Sequence, residues 1–380
     1  LNADTLNSAG NFDSTFATST GWSNTADWTI SGGVATCDGQ NNNRFLYPSS
    51  YGWTEGTSVV VEVTVTAYTS GTLNVSFDTG NAAAGTNMTA TGTYKFVGTV
   101  SGNTAVYLRS ASFIGSVDNV KIYIAEFDRS INNNGLIPYG TITKSVVATG
   151  AELTAYSGFT SSNYLFQPHN TDLQFGTGDY SVMLWYKGTS DSTGNREIFA
   201  NLRGSTNFWV LSKEYTNKFV FDTVTDPNTY KQDVWNHVAG VRRSGIAYLY
   251  VNGKLVGSAA ANDNITDTSD GLIIGQNPDN SDWRTRGFLA LLRISASSPS
   301  EDQVKKIYDD EKCLFKKNAK ATLYGTSDQI KGLGFDDTNN VLHVGTSSGR
   351  SEFQGLNRIN NTTTAVTTAI SASNDLVAEQ

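Results

Sequence analysis

The sequence predicts an all-β chain with two β-sandwiches in tandem, one short helix and a C-terminal blade-like β-hairpin segment. Three observations predict it. Apolar residues alternate with a period of two: Val59, Val61, Val63 and Val65 share one side of an extended run, while Val60, Glu62, Thr64 and Thr66 take the other. Turn dipeptides punctuate such runs, Gly32-Gly33 early and Asn252-Gly253 later, and both reach positive φ at little cost. Charged residues make up only 16% of the chain while Gly counts 36, a balance that suits many short strands joined by turns.

Residues 1–127 form a first unit. Strand-like runs fall at 28–30, 34–37, 59–66, 73–77, 94–100, 105–109 and 117–124, and that many strands at short spacing argue for a sandwich. The face carrying Val60, Glu62, Thr64 and Thr66 is expected to be wet. Certain residues carry a further likeness: Asn11-Phe12-Asp13, Gly21-Trp22, Trp28-Thr29-Ile30, Gly32-Gly33-Val34-Ala35 and Val117-Asp118-Asn119-Val120. On these the unit resembles the jelly-roll carbohydrate-binding modules found beside polysaccharide-degrading enzymes. The resemblance implies a structural calcium shared by Asp13 and Asp118. Calcium takes about six to eight oxygens, so the two carboxylates begin a site without completing it. The alternative is an Asp capping a turn at each place.

Residues 128–158, with Asn132-Asn133-Asn134-Gly135 and Pro138, read as a linker or a strap along the next domain. The second sandwich spans 159–316. In GDYSVMLWYKG, Tyr180, Val182, Leu184 and Tyr186 face one way and Ser181, Met183, Trp185 and Lys187 the other, as in a strand buried on both sides. Ser300 with Gln303 forms a capping box opening a helix over 300–316, with Val304, Ile307, Tyr308 and Leu314 on one stripe. From 317 to 380 the pattern is β again, with runs at 321–324, 330–335, 341–344 and 351–355 and then a Thr/Ala/Ser-rich tail. One blade cannot bury both of its faces alone, so neighbouring chain or further copies are expected to supply the rest.

Four blocks of the second sandwich stand in order: Asp179-Tyr180-Ser181-Val182 with Trp185, Trp235-Asn236-His237-Val238-Ala239-Gly240, Tyr248-Leu249-Tyr250-Val251-Asn252-Gly253, and Ile274-Gly275. They resemble the laminin-G-like branch of the concanavalin A-like lectin/glucanase superfamily over about residues 159–298. That resemblance implies a two-sheet jelly roll that commonly binds glycans or proteins, without naming a ligand.

Chemistry is sparse. Glucanases of this fold set carboxylates on one strand in a Glu-x-Asp-x-Glu pattern that flanks the scissile bond. No such pattern occurs in the chain, and the expectation is no enzyme. Gly345-Thr346-Ser347-Ser348-Gly349 spells a nucleophile elbow, but strands on both sides make it a β-turn. His169, His237 and His343 lack metal-like spacing.

Net charge is −8 with no basic stripe, which argues against a nucleic-acid partner. No apolar run approaches the ~20 residues of a membrane helix, which argues against membrane insertion. Cys37 and Cys313 read as two free thiols.

Sugar binding remains. It calls for flat aromatic faces beside amides or charges. Arg44, Phe45, Tyr47, Tyr51 and Trp53 surround one turn; Asn277, Asp279, Asn280, Asp282, Trp283 and Arg284 share one loop. Core packing is the competing reading for Trp53 and the tyrosines, and Trp185 and Trp235 are expected in the core. The order of modules, with the phrases TITKSVVATGAELTAYSGF and LHVGTSSGRSEFQGLNRI, resembles modular virion proteins of tailed bacteriophages. This implies a structural protein located in the virion, a tail fibre or other appendage adhering to host-surface glycan. Its partners would be copies of itself, other virion proteins and a cell-surface polysaccharide. The alternatives are a decoration protein of capsid or tail without a glycan ligand, or the carbohydrate-binding region of a bacterial depolymerase or surface adhesin.

Overall fold

A computed structural model describes residues 12–24, 26–49, 53–78, 84–101, 106–126, 128, 130, 132, 134–203, 208–266, 271–277, 279–326, 329–374 and 376–380. The chain is all-β, with one α-helix among the described residues, and it divides into two compact units. One holds residues 1–139 with 165–170 and 269–272; the other holds 140–164, 171–268 and 273–380.

The first unit is built on Tyr107–Ile124, an 18-residue strand. Its early part lies between Asn42–Pro48 and the end of Ser58–Ser76; its late part lies between Phe12–Ser14 and the start of Ser58–Ser76. Runs expected as separate strands at 59–66 and 73–77 are one strand of 19 residues, and 105–109 and 117–124 likewise merge. Repeated register shifts between the two long strands let them bend around a single core. At one bend Gly71 has φ +75° and a Cβ there would lie 1.9 Å from the Ser112 carbonyl oxygen, so only glycine fits. The core joins Val59, Val61, Val63 and Val65 to Phe12, Trp22, Trp28 and Phe113. The wet face is only partly wet: Val60 is buried with Ala125 and Ile137, while Glu62 pairs with Lys95 at 2.9 Å.

The second unit is a sandwich of two sheets. Ile273 and Ile274 begin one, followed in order by Glu197–Arg203, Trp209–Lys213, Phe219–Phe221 and Val224–Thr225. The other runs Thr143–Val146, Thr154–Ser157, Phe288–Ser295, Tyr180–Lys187, Asn236–Arg243, Ile246–Val251, Lys254–Ala260. Residues 143–157, expected as linker or strap, are thus an edge hairpin of this sheet. Tyr180 and Tyr186 point between the sheets onto Phe221, Phe199 and Phe219. Met183 and Trp185 point outward and are covered by the helix Glu301–Glu311 and the turn after it. Phe315 stacks 4.2 Å from Trp185, and Trp235 is half-buried beside them.

The Asn252-Gly253 turn has φ of +50° and +75°, the primed geometry its sequence calls for. The capping box is present, with Ser300 N donating to Gln303 Oε1 at 2.7 Å and Gln303 N to Ser300 Oγ at 3.3 Å. Ser300→Ala is therefore expected to cost about 1 kcal/mol, read as a lower urea midpoint with an unchanged slope. The helix ends at Glu311 and tightens to 3-10 over Lys312–Phe315, short of the expected 316.

The C-terminal segment packs within this second unit as four antiparallel strands: Ile330–Asp336, Val341–Thr346, Gly349–Gln354 and Asn357–Asn361. Ser347-Ser348 is the turn between two of them, so the elbow-like letters form a hairpin. One side, bared by Gly332, Gly334 and Gly345, receives Val366 and Ile370 from the tail, whose Ile370–Ser373 and Leu376–Glu379 strands form a second hairpin. The other side leaves Leu333 and Phe335 59% and 56% exposed. The run at 321–324 is not a strand; the Ala321 and Thr322 amides go to Glu152 and the Tyr324 amide to Ser351 Oγ. Cys37 and Cys313 are free thiols.

Candidate functional site

The first-unit candidates separate by strand parity. On Asn42–Pro48, Leu46 points to the core, so Phe45 and Tyr47 point away from it. Register places Phe45 opposite Arg109 and Leu46 opposite Leu108, so Tyr107 and Arg109 join them on the same outer side. Tyr47 and Tyr107 lie 4.9 Å apart by ring centroids, and Phe45 meets Tyr107 edge-on at 5.5 Å. A bulge after Asn42 turns Asn43 to φ +59°, and its side-chain oxygen accepts from Arg109 Nε at 3.1 Å and again from Nη2. The result is a half-buried patch of three aromatic rings beside a guanidinium held flat by an amide. Such a patch can lie against the C–H side of a sugar ring while the cation and amide meet its hydroxyls.

Arg44 falls on the opposite parity. It stands across from Ser110 and reaches the buried Asp27 at 3.5 Å, an ion pair outside the aromatic patch. Trp53 is 4% exposed and belongs to the core, the competing reading for it. Tyr51 lies outside the described residues. Tyr107, Arg109 and Asn43 were missed in the sequence; the only available signal was the Tyr107-x-Arg109 alternation, read there as a plain strand.

Asp13 stands opposite Lys121, and the Asp118 carboxylate accepts from its neighbour Asn119, from the backbone N at 2.6 Å and from Nδ2 at 3.1 Å. Among the described residues no cluster of three or more His, Cys, Asp or Glu stands where it could hold a metal ion.

In the second unit the loop candidates form a polar turn. Asp279 N donates to Asn277 Oδ1 and Asp282 N to Asn280 Oδ1, so both asparagines are spent on the turn itself. Trp283 is half-buried. Its Nε1 donates to Tyr215 Oη at 3.0 Å, and Arg196 lies 4.2 Å over its ring. One face of the indole is therefore already occupied. Arg284 stands 3.8 Å from Asp282 and turns toward a cleft shared with Arg286.

Beneath that cleft lies a buried network. Lys213 Nζ donates to Asn195 O at 2.6 Å, Asn217 Oδ1 at 3.2 Å and Ser192 O, and stands 3.7 Å from Glu197. Glu197 Oε2 accepts from Tyr186 Oη at 3.0 Å and Arg286 N at 2.9 Å. Burial pushes the Glu197 carboxyl up and the Lys213 ammonium down. The network ties loop 189–195 and segment 284–288 to one sheet, fixing both cleft walls. His237 packs against Trp185 in the core, and His343 is a strand residue 3.8 Å from Glu352.

Residues 159–305 match the Laminin_G_3 family model, described as the concanavalin A-like lectin/glucanases superfamily. The laminin-G-like region covers the second sandwich from Phe159 into the capped helix. No curated protein matches the chain. Among solved structures, the receptor-binding domain of botulinum neurotoxin C/D mosaic serotype superposes with a TM-score of 0.41 and 14% identity, covering 60% of this chain and 59% of that one. The binding domain of Paraclostridial Mosquitocidal Protein 1 gives 0.41 and 14%, covering 59% and 62%. Domain 4 of an extracellular arabinanase from Geobacillus stearothermophilus, solved with arabinotriose, gives 0.38 and 17%, covering 48% and 93%. The chain thus spans about three fifths of the length of the first two. At these scores no ligand transfers from them to the laminin-G-like region.

Proposed function

We propose that this chain is a non-enzymatic adhesion protein of a bacteriophage virion, a tail fibre or other appendage, that holds a host-surface glycan against the outer patch of its first unit. The observation that carries the adhesion is the patch itself: Phe45, Tyr47 and Tyr107 beside Arg109 and Asn43. The laminin-G-like region adds a lectin-type sandwich to the same chain. The virion setting is supported by the module order and by the apolar outer side of the C-terminal sheet, which copies of the chain or other virion proteins would cover. Weak single contacts would gain strength once several copies are arrayed.

The test is binding of the purified chain to host-surface polysaccharide by affinity electrophoresis, with Tyr47→Ala beside wild type. Loss of one stacking ring is expected to weaken retention by about tenfold, near 1.4 kcal/mol, with unchanged melting. Equal retardation of both proteins would reject the patch. No retardation by any host polysaccharide would favour a decoration protein without a glycan ligand. Polymer breakdown by the chain would overturn the non-enzymatic reading.

A further inference from the structure

The second unit carries a cleft of about 310 Å³ that the aromatic patch does not involve, bounded by residues 157–160, 189–191 and 284–288. Phe159, Thr160, Thr189, Arg284, Arg286 and Phe288 line it. Its unusual member is Arg286. The side chain is only 7% exposed, yet its contacts are long: Nε lies 3.6 Å from Asp191, whose carboxylate is 74% exposed, and Nη1 lies 3.5 Å from Arg284 O. A guanidinium taken out of water ordinarily gathers short charge-assisted bonds. Arg242 in the same sandwich does so, with Nε 2.8 Å from Gly178 O and its two Nη atoms 2.6 Å from Asp263 O and Gly176 O. Arg286 is left under-compensated, and it lines an open cleft.

Its position is rigid. Arg286 N donates to Glu197 Oε2 at 2.9 Å, and Thr189 Oγ1 donates to Arg286 O at 2.7 Å. Two more cations stand close by. Arg284 is two residues away on the same segment, and Lys187 Nζ lies 5.0 Å over the Phe288 ring. The acids facing them are Asp191 and Asp282, whose side chains are mostly exposed and screened by water, and the buried Glu197 behind the segment, which Lys213 already partners. What would complete such a site is a planar oxyanion taken by the guanidinium fork. Phe288 offers a ring face beside these cations, and that pairing suits an oxyanion carried on a sugar ring. The volume is at the low end for small-ligand sites and suits one or two pyranose rings.

We infer that this cleft binds a carboxylate-bearing saccharide, a uronate, through Arg284 and Arg286. It lies within the second unit and does not depend on the first-unit reading. Calorimetry on the full chain tests it with three probes: trigalacturonate, a neutral galactose trisaccharide and a sulfated galactose trisaccharide. Trigalacturonate is expected to bind more tightly than either other probe, and less tightly as salt is raised. Arg284→Gln is expected to weaken it about tenfold, the loss of one charge-assisted contact. Asp191→Asn is expected to tighten it about threefold by removing the competing acid, a gain that a damaged fold does not produce. Tyr47→Ala leaves it unchanged, which separates this site from the first-unit patch. Equal binding of neutral and acidic probes, an unaffected Arg284→Gln, or weaker binding by Asp191→Asn overturns the site. Tighter binding of the sulfated probe overturns the carboxylate assignment.

Discussion

His237→Phe is expected to remove most of the acid sensitivity of the second sandwich. The His237 ring is fully buried on Asn236–Arg243, 5.3 Å from Trp185 and 6.3 Å from Tyr308 by ring centroids. Neither ring nitrogen has a hydrogen-bond partner. Burial, helped by the Arg293 charge, holds its pKa down at about 3, against the ordinary 6.5. The unfolded chain therefore takes up a proton near pH 6.5 that the folded chain refuses until about pH 3. Stability from this group is whole above 6.5 and falls as pH drops through the window, by up to about 1.4 kcal/mol per pH unit. The sum is on the order of 4–5 kcal/mol. Phe keeps the ring among its aromatic neighbours and cannot ionise. Urea unfolding at pH 7, 5 and 4 checks the effect: wild type should lose several kcal/mol more than the variant. Parallel losses in the two proteins would show that other groups set the acid limit.

The second large effect is expected from Glu152→Ala, which should loosen the C-terminal sheet while the sandwich itself stays folded. Glu152 sits in the edge hairpin of the sandwich, and its carboxylate gathers the segment that follows the helix. Oε2 accepts from Ala321 N and Thr322 N, each at 2.9 Å, and from Thr322 Oγ1 at 2.7 Å. Oε1 accepts from Arg358 Nη2 at 3.1 Å. Burial by itself would push the carboxyl up; the hydrogen bonds from Thr322 and Ala321 and the Arg358 charge outweigh it and hold the pKa at about 2. The contribution is thus present above the ordinary value of 4.5 and lost as pH falls toward 2. Deleting the carboxylate leaves Arg358 and two backbone amides without their acceptor, a cost of about 3 kcal/mol. That raises the detached population roughly 100-fold. Trypsin should cut the variant first at Lys316 or Lys317, far faster than wild type. Indistinguishable digestion would mean the sheet is held by other contacts.

What the sequence disclosed was local. Tyr180 to Tyr186 is apolar on both faces, and the strand is buried on both. Asn252-Gly253 and the Ser300–Gln303 box each depend on a few neighbouring residues, and each formed as read. The candidate patch was hidden for the opposite reason. Phe45 and Tyr47 meet Tyr107 across a register set by an extra residue at Asn43, and no short window contains both sides. Arg44 alternates with Phe45 and so lies on the Leu46 side of the strand, which a count of aromatic and basic letters around one turn does not show. The run at 321–324 has strand composition but no strand, because an acid about 170 positions earlier takes two of its amides and the Ser351 hydroxyl a third. Arg286 was invisible as well, since its interest lies in the short bonds it fails to make.

The bare backbone at Gly332, Gly334 and Gly345 has an evolutionary consequence. A Cβ at Gly345 would sit 2.6 Å from a Val366 methyl, one at Gly334 would sit 2.8 Å from an Ile370 methyl, and one at Gly332 would press on the main chain of 369–370 at 3.1 Å. Any coding change at these sites adds bulk where the closing flap must lie, so lineages should hold them nearly immutable. Leu333 and Phe335, interleaved on the same strand but turned to the other side, carry no such constraint from within the chain; only a partner laid over that side would hold them.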